Sequence, residues 1–112
     1  MIETDTFSGV ISDGYHLLDG RAPFSLDGIL SITFYSDEYV TPVLPTGGFI
    51  DIQVSDDGFN YGTITNGKTV FPVLQYDRPY FYGYCRTVRA ELGNIQGATH
   101  FTFRVHSEKG GR

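Results

Sequence analysis

The acidic stretch SDDGFN, residues 55–60, contains residue types that could bind a metal ion. A calcium loop of the EF-hand kind places oxygen ligands at alternate positions, a glycine at the sixth position and a glutamate at the twelfth. Here Asp56 and Asp57 are adjacent, and no glutamate follows at that spacing. Asp57-Gly58 is instead a common turn dipeptide, because both residues tolerate positive φ at low cost. The stretch therefore predicts the tip of a β-hairpin, and no bound metal is expected.

Histidine and cysteine are the next candidates for metal binding. His100 and His106 lie on either side of Arg104 in an alternating segment. Zinc ligands on strands are usually two residues apart or on neighbouring strands. Alternate residues of a strand are about 6.5–7 Å apart, so a six-residue separation exceeds the span of one ion. Cys85 is the single cysteine, so neither an intramolecular disulfide nor a zinc cysteine pair is expected.

Catalytic signatures are weak throughout the chain. Nucleophilic catalysis needs a Ser or Cys with a base and an orienting group, and no GxSxG turn is present. A small hydrolase remains an alternative, in which Asp56, Asp57 and His100 would have to converge in one pocket. The sequence predicts a protein that is not an enzyme and that uses no cofactor.

The aromatic run YDRPYFYGY, residues 76–84, is the strongest candidate for partner binding. Five of its nine residues are aromatic, and arginines flank it. Neighbouring side chains alternate across a strand, so a small core cannot bury every ring. Interfaces favour Tyr and Arg as anchors. The alternative is that the rings cap one end of the fold. The predicted partner-binding residues are Tyr76, Arg78, Tyr80, Tyr82, Tyr84 and Arg86.

The elements that position these residues are predicted to be β-strands. Four segments alternate apolar and polar residues with period two, the pattern of an antiparallel sheet with one buried face. Their apolar sets are Leu30, Ile32 and Phe34; Ile50, Ile52 and Val54; Val88, Ala90 and Leu92; and Phe101, Phe103 and Val105. The predicted fold is all-β: a single antiparallel β-sandwich, or a small partly open barrel, of jelly-roll or immunoglobulin size.

Turn signals separate the predicted strands. They are Asp13-Gly14, Asp19-Gly20, Asp27-Gly28, Asp57-Gly58 and Asn66-Gly67. Residues 40–48 are predicted to be a loop. The prolines after residue 70 predict that this segment forms an edge strand of a sheet or an extended coil. Residues 1–28 could be strands of the body or an extended arm, and residues 107–112 are predicted to form a flexible tail.

Composition limits the function classes. The 112 residues suit one domain, residues 1–112, and the net charge of −5 argues against binding to nucleic acid or to an anionic membrane. No segment approaches the roughly 18 apolar residues that a membrane-spanning helix needs. The first residues lack the basic and apolar regions of a signal peptide, so we expect a soluble protein made in the cytoplasm.

Two passages resemble known proteins. Residues 50–65, IDIQVSDDGFNYGTIT, are similar to a hairpin found in discoidin-like carbohydrate-binding domains and in small phage virion proteins. Residues 82–106 resemble the closing hairpin of those phage proteins, on a pattern formed here by Arg86, Val88, Arg89, Leu92, Gly97, Ala98 and Thr99. Discoidin-like domains usually carry a tryptophan after the Asp-Gly pair, and this chain has no tryptophan.

The resemblance to small tailed-phage virion proteins implies a capsid decoration protein, of the cement or staple kind found on podovirus heads. Such proteins use no cofactor, assemble as small homo-oligomers such as dimers or trimers, and bind the major capsid protein on the outer surface of the virion. The alternative is a carbohydrate- or receptor-binding module of a tail spike or baseplate, in which exposed tyrosines would stack on sugar rings.

Overall fold

The chain folds into antiparallel strands. The computed structural model describes residues 2–18, 28–81 and 87–108, and these ranges contain no helix. The strands are β1 (Ile2–Val10), β2 (Gly14–Leu17), β3 (Gly28–Tyr35), β4 (Pro42–Val43), β5 (Gly47–Ser55), β6 (Gly62–Val70), β7 (Tyr80–Phe81), β8 (Thr87–Gln96) and β9 (His100–Glu108).

The strands form two sheets that pack together. The first sheet has the order β1-β9-β3, and the short strands β4 and β7 pair with the far edge of β3. The second sheet has the order β6-β5-β8-β2. β7 also pairs with β6, through Tyr80 and Thr65, so it links the two sheets. The predicted all-β sandwich is therefore confirmed.

The core lies between the sheets and follows from the alternating sequence. The predicted inward residues of β3, β5, β8 and β9 all face it, although Ile32 and Val54 are only partly buried. Burial of this apolar surface is the main stabilising contribution to a fold of this size. The buried apolar residues are Leu18, Leu30, Phe34, Ile50, Ile52, Ile64, Phe71, Phe81, Val88, Ala90, Leu92, Phe101, Phe103 and Val105.

Two polar residues of β5 are buried although the alternation places them on the outward side. Asp51 is covered by its neighbours and accepts hydrogen bonds from Gln53 and Thr63. The Ser55 hydroxyl accepts the backbone N–H of Gly58 within the hairpin turn. Each group keeps hydrogen-bond partners, so its burial carries little of the penalty of an unsatisfied polar group.

The Asp57-Gly58 turn is confirmed, whereas the Asn66-Gly67 turn is wrong. Asp57-Gly58 lies at the tip of the β5–β6 hairpin, where Gly58 has φ of 83°. Asn66, with φ of 58°, lies inside β6 opposite a register shift in β5. A Cβ at Gly67 would approach the carbonyl oxygen of Ile52 to 2.7 Å, so the dipeptide serves a bulge and a close backbone approach instead of a turn.

In three other regions the strands start or end at residues that correct or refine the sequence predictions. Residues 2–18 include strands of the body, and the predicted loop 40–48 contains β4 and the start of β5. β9 continues to Glu108, two residues into the predicted tail, because β1 extends far enough to pair with it. Residues 109–112, the Asp19-Gly20 turn, Asp27 and Cys85 lie outside the described residues.

The carboxylate of Asp57 stabilises the hairpin tip. It accepts the backbone N–H groups of Asn60 and Phe59, each at 2.8 Å, as well as the Asn60 amide and the Ser55 hydroxyl. These hydrogen bonds, the one from the Asn60 backbone first, hold the pKa of Asp57 far below its ordinary value. They are made to the ionised form, so protonation weakens them.

We expect Asp57→Ala to lower the thermal midpoint at pH 7, and the difference from the wild type to shrink as the pH falls. A depressed folded-state pKa gives stabilisation that is fully present above the unfolded-state pKa of about 4 and is lost toward more acidic pH. Thermal melts between pH 7 and pH 2 would measure this. Asp56→Ala is the matched control, because Asp56 is exposed and makes no hydrogen bond to the described residues. A difference that is equal at pH 7 and pH 2 would contradict the assignment.

Candidate interaction surface

The predicted aromatic run is only partly available to a partner. Tyr76 is half-buried and packs edge-on against Phe71, with ring centroids 6.2 Å apart. Burial raises the pKa of the Tyr76 hydroxyl, which makes no hydrogen bond to the described residues. Arg78 is exposed, and Tyr80 is half-buried on β7. Tyr82, Tyr84 and Arg86 lie outside the described residues. Tyr76 thus packs against the core, and Arg78 is the described member of the run that is most accessible.

A groove of about 170 Å³ lies beside this run. It is lined by Leu30, Ser31, Ile32, Tyr76, Arg78 and Pro79. Its surface is largely apolar, and Arg78 is its charged member among the described residues. Tyr76, whose pKa is raised by burial, lines the groove, whereas the two carboxyl groups with a lowered pKa, Asp37 and Asp57, lie on other loops. The groove therefore offers a shallow contact surface and lacks a paired acid and base.

The outer face of the second sheet brings together residues that are far apart in sequence. The register aligns Thr63, Gln53, Arg89 and Leu17 in one row that crosses all four strands. Cβ atoms opposite each other in an antiparallel pair are about 5 Å apart, so neighbouring members of the row lie side by side. Arg89 lies near the middle of this row.

Arg89 is held between two tyrosine rings. Its guanidinium carbon is 4.0 Å from the ring centroid of Tyr15 on one side and 3.6 Å from that of Tyr61 on the other. Its Nε donates a hydrogen bond of 2.8 Å to Oε1 of Gln53. Cation–π contacts of this kind contribute about 0.5–2 kcal/mol each, more when they are shielded from water. We call the surface formed by Tyr15, Leu17, Gln53, Tyr61 and Arg89 the Arg89 face.

A hydrogen-bond network beneath this surface fixes its geometry. Gln53 donates its amide to Oδ2 of Asp51 at 3.0 Å, and the Thr63 hydroxyl donates to Oδ1 of Asp51 at 2.7 Å. The Thr87 hydroxyl donates to the Tyr61 hydroxyl at 2.9 Å. The side chains that orient Arg89 are thus themselves held in place, which lowers the entropy lost when a partner binds.

The edge of the Arg89 face is apolar and open to solvent. Tyr15 is 57% exposed and Leu17 is 65% exposed, both on the edge strand β2. Natural edge strands usually carry charges or prolines that prevent unwanted pairing, and the β2 sequence GYHL has no Lys, Arg, Asp, Glu or Pro. Tyrosine and arginine side chains are enriched at protein interfaces, so this part of the surface suits a protein partner.

Sequence reasoning placed Arg89 in the pattern shared with phage hairpins and did not recognise the surface around it. The signal was present in the alternation, which places Gln53 and Arg89 on the outward sides of β5 and β8. Tyr15 and Leu17 lie in the N-terminal region, where alternation is weak, and Tyr61 follows a turn. Only the strand register brings these residues together.

His100 and His106 lie on the outer face of the first sheet and have separate partners. Nδ1 of His106 is 2.9 Å from the Thr4 hydroxyl, whereas His100 packs against the Tyr39 ring at 5.0 Å. Within residues 2–18, 28–81 and 87–108, no group of three His, Cys, Asp or Glu residues could hold a metal ion. The same ranges contain no helix that is long and apolar enough to cross a membrane.

Comparison with known proteins gives a structural neighbour of phage origin. No family model matches the chain, and no curated protein matches it. Among solved structures, the SPBc2 prophage-derived protein YomS is similar, with a TM-score of 0.57 and 10% sequence identity over 96% of each chain. At 10% identity the similarity shows a shared fold and no more, and that fold covers nearly the whole length of both chains.

Proposed function

We propose that this protein is a non-enzymatic virion protein that decorates a phage head and stabilises it by binding the major capsid protein lattice. The observation that carries this proposal is the Arg89 face, an exposed and internally braced surface on a rigid sheet. Its tyrosines and arginine are residue types that anchor protein interfaces. The copies would sit on the outer capsid surface, as small homo-oligomers.

Decoration requires contact area and rigidity instead of chemistry. A specific interface buries about 1,600 Å² in total, and repetition over a shell multiplies the effect of each copy. The Arg89 face extends across β5, β8 and β2 of the second sheet, from Gln53 to Leu17. The hydrogen bonds from Arg89 to Gln53 and from Gln53 to Asp51 keep the contact side chains in one arrangement. This suits a permanent contact with a repeating lattice.

The fold similarity to a prophage-derived protein supports a phage origin for this proposal. The net charge of −5 supports a protein partner over the nucleic acid inside a head, because binding to phosphate needs a basic surface. The exposed Arg78 lies beside the apolar groove and offers a second contact region on the same protein.

The alternative function is carbohydrate or receptor binding in a tail spike or baseplate. The observation in its favour is the exposed ring of Tyr15, since aromatic rings stack on sugars. Two features favour a protein partner instead. One face of the Tyr15 ring is already covered by Arg89. The neighbouring Gln53 and Asp51 groups, which could bind sugar hydroxyls, are already hydrogen-bonded within the protein.

Two parallel assays on one preparation of purified protein distinguish these functions. The first is co-sedimentation with empty phage heads that lack the protein, and the second is a glycan-binding screen. The proposal predicts saturable binding to heads and no signal in the glycan screen. Binding to glycans without binding to heads would overturn it and assign the Arg89 face to host adsorption.

A further inference from the structure

The guanidinium of Arg89 retains unused hydrogen-bonding capacity. An arginine carries five N–H donors in a planar fork. Tyrosine rings cover both faces of the Arg89 guanidinium plane, and Nε donates to Gln53. The described residues provide no hydrogen bond or ion pair to the two Nη groups. Among the described residues, the edge formed by Nη1 and Nη2 is therefore left without an acceptor.

Within the described part of the chain, the nearby carboxylates do not fill this edge. Both oxygens of Asp51 accept hydrogen bonds, one from Gln53 and the other from Thr63. Glu91 lies two residues along β8, opposite Tyr15, and forms no ion pair with Arg89. A protein of net charge −5 thus holds an arginine in a fixed plane without a carboxylate partner among the described residues.

We propose that the Nη edge of Arg89 is a binding site for the carboxylate of an acidic side chain, Asp or Glu, on a partner protein. Two parallel N–H···O bonds from the fork match the spacing of the two carboxylate oxygens. The stacked tyrosines hold the guanidinium in the required plane before the partner arrives. This reduces the ordering cost of the bidentate pair. The identification of the partner as a protein rests on the proposed function.

The surroundings of the fork favour a protein carboxylate over the carboxylate of an acidic sugar. Leu17 lies directly opposite Arg89 in the register and is exposed, so it would contact apolar atoms next to the bound carboxylate. An acidic sugar would place hydroxyl groups against this leucine. It would also need free polar groups that Gln53 and Asp51 do not offer.

The site can be tested by NMR titration of the intact protein with small probes. The probe is N-acetylglutamate N-methylamide, with N-acetylglutamine N-methylamide as the neutral match and glucuronate as the sugar carboxylate. We expect the glutamate probe to shift the Arg89 Nε–H signal and the ring signals of Tyr15 and Tyr61 in a saturable manner. The glutamine probe and glucuronate should bind at least fivefold more weakly.

Two variants separate the fork from general charge. Arg89→Lys keeps the charge and loses the paired donors, so it should weaken the glutamate probe at least fivefold while the amide spectrum stays dispersed. Arg104→Lys, on the opposite sheet, should leave binding unchanged. In the wild-type protein, signal shifts that do not saturate, or equal shifts with the glutamine probe, would contradict a carboxylate site at Arg89. If glucuronate bound more tightly than the glutamate probe, the bound carboxylate would belong to a sugar and not to a partner protein. These probes require no phage heads, so the result is independent of the head-binding assay.

Discussion

The Arg89→Gln variant should bind empty heads roughly 30-fold more weakly than the wild type, while its unfolding remains cooperative. A central interface anchor contributes about 2 kcal/mol or more on truncation, which corresponds to this ratio. Arg89 is flanked by two tyrosine rings and tied to Gln53, so its loss also releases the rings from their fixed positions. Co-sedimentation over a range of protein concentrations measures the change in affinity.

Two control variants locate the effect on the molecule. Arg104→Gln removes the same charge from the outer face of the first sheet and should bind heads like the wild type. Arg78→Ala removes the exposed cation of the aromatic run, beside the groove. A large loss in Arg78→Ala with unchanged binding in Arg89→Gln would contradict the Arg89 face and place the contact at the aromatic run.

Gly48→Ala should reduce the free energy of unfolding by about 3 kcal/mol. Gly48 has φ of 91°, a conformation that side chains rarely adopt, at the register shift between β5 and β8. A Cβ there would lie 2.4 Å from the carbonyl oxygen of Asn94 and 2.5 Å from that of Gly93. Backbone strain and a clash with backbone atoms each cost about 1–3 kcal/mol. The strands that carry Gln53 and Arg89 would have to shift apart.

Gly62→Ala is the matched control for this substitution. Gly62 begins β6, and a Cβ built there meets no atom within 4 Å. The free energy of unfolding of Gly62→Ala should differ from that of the wild type by less than about 1 kcal/mol. The variant should be the more stable of the two, because alanine restricts the unfolded chain. Urea unfolding measures both variants. Equal stabilities of Gly48→Ala and Gly62→Ala would show that the register shift between β5 and β8 tolerates a side chain at position 48.

The sandwich could be predicted because its strands follow a local rule. Alternation in β3, β5, β8 and β9 directly sets which side chains face the core, as Phe34 and Phe103 show. The Asp57-Gly58 turn was predictable for the same reason, because its chemistry lies within a few consecutive residues. Asn66-Gly67 was misread because a positive φ suits a bulge inside a strand as well as a hairpin turn.

The Arg89 face could not be predicted because it depends on long-range register. Tyr15 and Arg89 are 74 residues apart in sequence, and they meet only because β2 pairs with β8. In the aromatic run, alternation explains why Phe81 is buried beside a half-exposed Tyr80. It does not explain why Tyr76 packs against Phe71, because that contact forms in an irregular segment.

The most direct test of the proposed role is the amount of wild-type protein that binds to empty heads at saturation. Specific decoration occupies equivalent sites on the lattice, so bound copies should reach a plateau at a fixed simple ratio to major capsid protein subunits. Arg89→Gln should need more protein to approach the same plateau. Binding that rises linearly without a plateau, or no binding at any concentration, would contradict a decoration function.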